Sequence, residues 1–295
     1  MTVRPLDPET VVEHVRERYA KIASGELSGC GCGCAAAEAL EAQVANQIGY
    51  RAEELGTLPV EANLGLGCGA PVGALAPQPG ETVLDLGSGG GIDVFLAAPQ
   101  VGPTGRVLGV DMTPQMIERA RAAAARAGIS NVEFRHGRLE ALPVADASVD
   151  AVTSNCVINL VPDKGRVFAE VARVLKPGGR LVISDIVLDR ELPEAIAGDL
   201  FAWAGCVAGA MRRDDYFAAL AAAGLGEVEI LRDVDYVATL GEKLPEEIAA
   251  LLERTGVRAE EVAGTVRSVT YRATKPAPAK AVCCGPSCCG GASAA

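Results

Sequence analysis

Three cysteines lie far apart in the chain, each among small residues: Cys68 in Leu-Gly-Cys-Gly, Cys156 in Ser-Asn-Cys-Val and Cys206 in Ala-Gly-Cys-Val. Thiolates are soft donors that select soft ions, so a fold that gathers these three makes a pocket for a thiophilic metal or metalloid. Taken singly, each is equally well a small buried hydrophobe. The other cysteines cluster: Cys30, Cys32 and Cys34 alternate with glycine, while Cys283, Cys284, Cys288 and Cys289 crowd the end of the chain. Neither pattern resembles a disulfide framework. The N-terminal Met-Thr-Val-Arg-Pro-Leu-Asp-Pro-Glu lacks the charged-then-apolar layout of a secretion signal, which predicts a cytoplasmic location with free or ion-binding thiols.

A second constellation follows a strand predicted over 82–86, which runs into Asp85-Leu86-Gly87-Ser88-Gly89-Gly90-Gly91. Glycine allows a tight turn and a close backbone approach to a ligand. A dinucleotide fingerprint would place its third glycine at position 92, which is Ile92, and a pyrophosphate has no use for the carboxylate of Asp85. A cationic ligand does. S-adenosylmethionine carries an ammonium and a sulfonium, so Gly87, Ser88, Gly89 and Gly91 are assigned to its cradle and Asp85 to its charge. Asp111, ending the next strand, suits the ribose hydroxyls, and Met112 the adenine face.

The elements that must position these residues alternate beyond Pro79-Gly80. Strands are expected over 82–86, 106–110, 132–135, 149–154 and 180–186, with helices over 92–98, 114–127 and 164–175 between them. Apolar strands alternating with helices predict an α/β fold with a parallel sheet covered on both faces. Thr113-Pro114 is a helix start, and Lys176-Pro177-Gly178-Gly179 a turn into the next strand. Upstream, helices are expected over 9–23 and 35–55, with a glycine-rich loop over 63–73 carrying Cys68. Downstream come a helical segment over 193–210, on which Trp203 and Cys206 would share a face, and a helix over 214–223. Strands over 227–234 and 266–273 then enclose a helix over 245–252. The expected divisions are an N-terminal helical and cysteine-loop region (1–75), a cofactor-binding domain (76–190), a C-terminal α+β substrate region (191–275) and a mobile low-complexity tail (276–295).

Leu-Asp-Leu-Gly-Ser-Gly-Gly-Gly, Gly-Val-Asp-Met and Leu-Lys-Pro-Gly-Gly-Arg-Leu together resemble the class I S-adenosylmethionine-dependent methyltransferases over residues 80–190. The resemblance implies a Rossmann-like sheet of seven strands with the cofactor over its carboxyl edge. It also implies that His136-Gly137-Arg138-Leu139-Glu140 borders the adenine, with Arg138 where relatives often carry an acid. Arg138, Leu139 and Asn155 join the expected cofactor contacts.

With Gly65-Leu66-Gly67-Cys68-Gly69-Ala70-Pro71, Ser154-Asn155-Cys156-Val157 and Trp203-Ala204-Gly205-Cys206, the chain resembles arsenite methyltransferases over about residues 10–275. That likeness implies Cys68, Cys156 and Cys206 as ligands of trivalent arsenic, joined by one of Cys30, Cys32 and Cys34. Arsenite and methylarsenite are then the substrates, and a thiol reductant such as thioredoxin or glutathione the co-substrate. Ala70 departs from the family's asparagine and removes a side-chain amide from the loop. The competing functions are methyl transfer to carbon or oxygen of a small organic acceptor, and soft-metal binding without catalysis.

Composition narrows the partners. The net charge of −11 shows no basic stripe for nucleic acid or an anionic membrane surface, and 49% hydrophobic residues suffice for a large core. The longest apolar run, 200–211, is too short to span a bilayer. A small-molecule enzyme, monomeric and away from membranes, is expected. His14 and His136 are assigned no catalytic part.

Overall fold

A computed structural model describes residues 7–27, 37–239 and 246–277. Cys30, Cys32, Cys34 and the cysteines of the tail lie outside the described residues.

The core is a sheet of seven strands: β1 (Thr82–Leu86), β2 (Arg106–Asp111), β3 (Val132–His136), β4 (Val149–Asn155), β5 (Leu175–Leu188), β6 (Gly226–Asp235) and β7 (Val266–Thr274). Their spatial order is β3-β2-β1-β4-β5-β7-β6. The pairings from β3 through β5 are parallel, and β7 runs antiparallel to both β5 and β6.

The helices are α1 (Pro8–Ser24), α2 (Ala37–Ile48), α3 (Ala52–Leu55), α4 (Pro71–Leu75), α5 (Ile92–Val101), α6 (Pro114–Ala127) and α7 (Lys164–Val174), then α8 (Glu194–Ala197), α9 (Leu200–Ala204), α10 (Arg213–Ala222), α11 (Tyr236–Thr239), α12 (Glu246–Thr255) and α13 (Ala259–Val262). None is long and apolar enough to cross a membrane.

The period of two along a strand sends alternate side chains to opposite faces. In β1, Leu84 and Leu86 pack with Val167, Phe168 and Val171 of α7 and with Tyr216 of α10. Val83 faces the other way, among Val94 and Ala97 of α5 and Ala120 of α6. Both faces are therefore dry, which is why the central strands read as apolar runs. Each such leucine or valine contributes about 1.5–3 kcal/mol by leaving water.

Local signals set the helix ends. Asp7 caps α1 by accepting from the Thr10 amide at 3.0 Å, and Gly25 ends it in the left-handed region. Proline opens α6, and Gly128 closes it at φ 67°, its amide returning to the Ala124 carbonyl.

Three expectations are corrected. The helix expected over 35–55 is two, α2 and α3, because Gly49 takes φ 123° between them. The segment 193–210 forms only the short α8 and α9, interrupted at Gly198. Residues 176–179 do turn, but inside β5: the ladder steps from Val149↔Leu175 to Ala151↔Arg180, so the four residues form an irregularity within one strand.

Candidate active site

Ligands of open α/β sheets bind outside the carboxyl ends of the strands, and here that edge floors a cavity of about 340 Å³. Residues from β1, β2 and β4, the glycine loop, α1, the Cys68 loop and the segment after α9 line it. Asp85, Gly87, Ser88, Gly89, Asp111, Met112, Arg138, Leu139, Asn155, Cys68, Cys156 and Cys206 are all among the lining residues. Gly91 is not. It starts α5 at φ 95°, where a Cβ would lie 2.9 Å from the rings of Phe95 and Phe134.

One half of the cavity is acidic. Asp85 is 3% exposed, and burial followed by the nearby carboxylates of Asp93 and Asp111 pushes its pKa well up. Asp93 rises to about 7, chiefly through burial, against the hydrogen bond that it accepts from Tyr50. Asp111 is also raised by burial, though its two oxygens accept backbone N–H groups of Gly89 (3.0 Å) and Thr113 (2.8 Å). The Ser88 hydroxyl is buried without a partner among the described residues, and a Cβ at Gly89 would meet none of their atoms within 4 Å. Three carboxyl groups gathered beside an open glycine backbone fit a cationic ligand with hydroxyl groups. The residues present thus suit S-adenosylmethionine.

The other half holds the thiols. Cys68, Cys156 and Cys206 are free, buried and members of one packed cluster. Cys156 follows β4, its amide donating to the Ser184 carbonyl at 2.8 Å, and its thiol interacts with those of both Cys206 and Cys68. The Cys206 thiol donates to the Cys156 carbonyl at 2.8 Å. The Cys68 amide donates to Asn155 Oδ1 at 2.9 Å, and the Cys68 carbonyl accepts from the Ser268 hydroxyl at 2.6 Å. Contacts with the other two thiols, then burial, drive the Cys156 pKa well above the ordinary thiol value, and burial raises Cys68. Cys68 and Cys156 can therefore rest as neutral thiols against one another. Among the described residues no group of three or more His, Cys, Asp or Glu side chains stands arranged to hold a metal ion.

The backbone here is unusual. Cys156 and Cys206 take φ 61° and 65°, the left-handed region, which costs a residue with a Cβ about 1–2 kcal/mol. Of the five non-glycine residues found in that region among the described residues, only these two line the cavity. Such outliers concentrate at functional sites.

The sequence profile of the methyltransferase domain family matches residues 77–248. The chain is 50% identical over 232 residues to the arsenite methyltransferase of Halobacterium salinarum, covering 76% of this chain and 59% of that protein. It is 46% identical over 157 residues to the arsenite methyltransferase of Aquipseudomonas alcaligenes, covering 51% and 45%. The crystal structure of an arsenic(III) S-adenosylmethionine methyltransferase from Chlamydomonas reinhardtii superposes with a TM-score of 0.60 at 32% identity, over 81% of this chain and 75% of that one.

The chain belongs to the arsenite methyltransferase family. It spans 59% and 45% of the lengths of the two relatives matched by sequence.

Within this family member, one sequence-based placement needs revision. Trp203 and Cys206 do not share a helix face, because α9 stops at Ala204 and Cys206 lies in the following turn, its amide on the Trp203 carbonyl at 2.9 Å. Asn155 borders the cavity, and its amide makes four hydrogen bonds: Oδ1 accepts from Cys68 and Gly69, and Nδ2 donates to the Tyr50 hydroxyl and the Gly69 carbonyl. Arg138 pairs with Glu140 at 2.8 Å, and His136 Nε2 lies 3.0 Å from the Met112 carbonyl, steadying that loop.

Sequence reasoning missed Tyr50, Asp93 and Ser268. Asp93 had a signal, as an acid just inside the helix that follows the glycine loop. Tyr50 and Ser268 had none, since only the folded chain brings them to the site. Buried Lys164 was missed too: it stands behind the thiols with its ammonium 5.9 Å from the Trp203 ring centre, and burial lowers its pKa to about 8.

Proposed function

We propose that this chain methylates trivalent arsenic held by Cys68, Cys156 and Cys206, with S-adenosylmethionine as donor. The observation that carries this is the meeting of three buried thiols, two of them on left-handed backbone, at the carboxyl edge beside an acid-rich glycine cradle.

Asp85, with Asp93 behind it, balances the ammonium of the methionine moiety. Asp111 takes the ribose hydroxyls with the lone pairs that its two backbone bonds leave free. Gly87, Ser88 and Gly89 accept the donor along their backbone, Gly91 shapes the turn, and Met112, Arg138 and Leu139 border the adenine. When bound, the cofactor supplies an electrophilic sulfonium methyl for the arsenic lone pair.

Arsenous acid condenses with the three thiols, each As–O bond being exchanged for an As–S bond with loss of one water. The resulting trigonal pyramid keeps its lone pair, which needs little acid or base help. What the protein contributes is position: holding reacting atoms at near-attack distance can supply about 7–11 kcal/mol. Methylated arsenic is formally pentavalent, so return to the trivalent state takes two electrons from a pair of sulfurs and leaves a disulfide. A thiol reductant such as thioredoxin or glutathione then reopens it. One of Cys30, Cys32 and Cys34 is the candidate fourth thiol for that exchange.

The test is incubation with arsenite, methyl-labelled cofactor and a dithiol. Labelled methylarsenicals are expected, and Cys156→Ser should cut the rate by at least about a thousandfold, the scale set by losing a group on which positioning depends. No methylarsenic product from the unaltered protein would overturn the assignment.

A further inference from the structure

One hydrogen-bonded chain runs from the donor half of the cavity to the acceptor half, and its members Tyr50 and Asn155 have no role in the chemistry above. The Tyr50 hydroxyl donates to Asp93 Oδ1 at 2.8 Å. Asn155 Nδ2 donates to the Tyr50 oxygen at 2.9 Å, and its other proton goes to the Gly69 carbonyl at 2.6 Å. Asn155 Oδ1 accepts from the Cys68 amide at 2.9 Å and from the Gly69 amide at 3.3 Å. Both protons and both lone pairs of the Asn155 amide are therefore used, so the side chain has one orientation.

The loop is built for this contact. Gly67 takes φ 112°, and a Cβ there would lie 2.7 Å from Asn155 Nδ2. Tyr50 is 4% exposed and Asp93 2%, so water does not compete for the bonds between them. At one end of the chain stands Asp93, paired with Asp85 where a cationic ligand belongs. At the other end stands the backbone that carries Cys68, and Asn155 itself immediately precedes Cys156.

We propose that the Asp93–Tyr50–Asn155 chain couples the two substrates, so that occupation of the acidic cradle by the cofactor's ammonium tightens binding of a trivalent arsenical at Cys68 and Cys156. This rests on the assignment of the cavity to S-adenosylmethionine and arsenic. A cation beside Asp85 and Asp93 favours the ionised Asp93, and a hydrogen bond to an ionised acceptor is roughly twice as strong as a neutral one. The Tyr50 hydroxyl is then held harder, which orients its oxygen towards Asn155 and fixes the Cys68 loop against Cys156. Tyr50 and Asn155 are positioning residues, acting through the loop rather than on the reacting atoms. By linkage, the arsenical must tighten the cofactor by the same factor.

The test uses the full chain and its single tryptophan, Trp203, whose carbonyl already contacts the Cys206 amide. Arsenite is titrated against Trp203 fluorescence, with and without saturating S-adenosylhomocysteine, which keeps the ammonium but cannot react. The unaltered protein should bind arsenite about tenfold tighter with the cofactor analogue present, within the usual range of coupling between sites. Tyr50→Phe should bring that ratio to within about twofold of unity while changing arsenite affinity alone by less than about threefold. Ser268→Ala removes the other anchor of the Cys68 loop, so it should weaken arsenite in both conditions and leave the ratio intact. A merely structural role for Tyr50 would give that second pattern. Asp93→Asn keeps a neutral acceptor for Tyr50 but cannot ionise, so with the analogue held at saturation it is expected to lose the ratio as Tyr50→Phe does, should the latter fold poorly.

An uncoupled unaltered protein, or a Tyr50→Phe variant that keeps the full ratio, overturns the proposal while leaving the functional assignment standing. If the analogue binds but arsenite does not, both fail.

Discussion

The two cysteines in left-handed backbone show what a residue's type leaves unsaid. Cys156 and Cys206 were recognisable in the sequence as thiols in small-residue settings, but their φ angles of 61° and 65° were not, because a Gly-Cys or Asn-Cys pair gives no sign of the conformation its second residue takes. Glycine is at home there, so the backbone cost and the lost side chain can be separated. In Cys156→Gly the relief of about 1–2 kcal/mol opposes the entropy that glycine adds to the unfolded chain, about 0.4–1 kcal/mol, and the packing of one sulfur. The urea midpoint of this variant should correspond to a stability within about 1 kcal/mol of the unaltered protein, while arsenite methylation falls to background. A large loss of stability would show that the thiol is there to fill the core. Asn155 carries a related lesson: its place at the carboxyl edge was legible, but the geometry of its four hydrogen bonds, which tie it to Tyr50 and the Cys68 loop, was not.

Among the elements, β1 and the start of α5 carry the acids of the cradle, and their environment makes stability depend on pH. Asp93 has its pKa raised to about 7 by burial, against about 3.9 in an unfolded chain. A carboxyl whose folded value is raised favours the fold in its protonated form. Its contribution is complete below about pH 4 and is lost as pH rises to and through about 7. The ligand-free protein should therefore unfold at lower urea near pH 8 than near pH 5. Asp93→Asn should remove part of that slope, and Asp85, Asp111 and Asp185, which burial also raises, should keep the rest. Equal midpoints at both pH values would contradict this account. The elements themselves were largely readable. The bounds of β1 and α6 follow from an apolar run ending in glycines and from Thr113-Pro114 with Gly128. Failures came where glycine punctuates a helical pattern, at Gly49 and Gly198, since periodicity alone cannot say whether a glycine is tolerated or terminal.

At the scale of the molecule, three thiols from the loop before α4, the end of β4 and the turn after α9 become one site only through the sheet. Because Cys68 and Cys156 have raised pKa values, they are neutral near pH 7, and arsenous acid is neutral as well. Condensation then yields water and no net protons, whereas a divalent metal would displace protons from the same thiols. Calorimetric titration of arsenite near pH 7 in buffers of different ionisation enthalpy should give one common heat. A heat that scales with buffer ionisation would mean that the site is loaded as thiolates. The seven-stranded sheet was legible in outline, yet the adjacency of residues 68, 156 and 206 was not, since it depends on strand order rather than on any local pattern.

That order also sets a sequence of events. The hydroxyl that steadies the Cys68 carbonyl belongs to Ser268 on β7, 200 residues further along the chain, and β7 enters the sheet antiparallel between β5 and β6. A polypeptide emerging from the ribosome thus exposes all three thiols and the glycine loop well before it can seat the first thiol. β7 acts as the closing clasp, and the thiol site cannot be completed until residue 268 has left the ribosome.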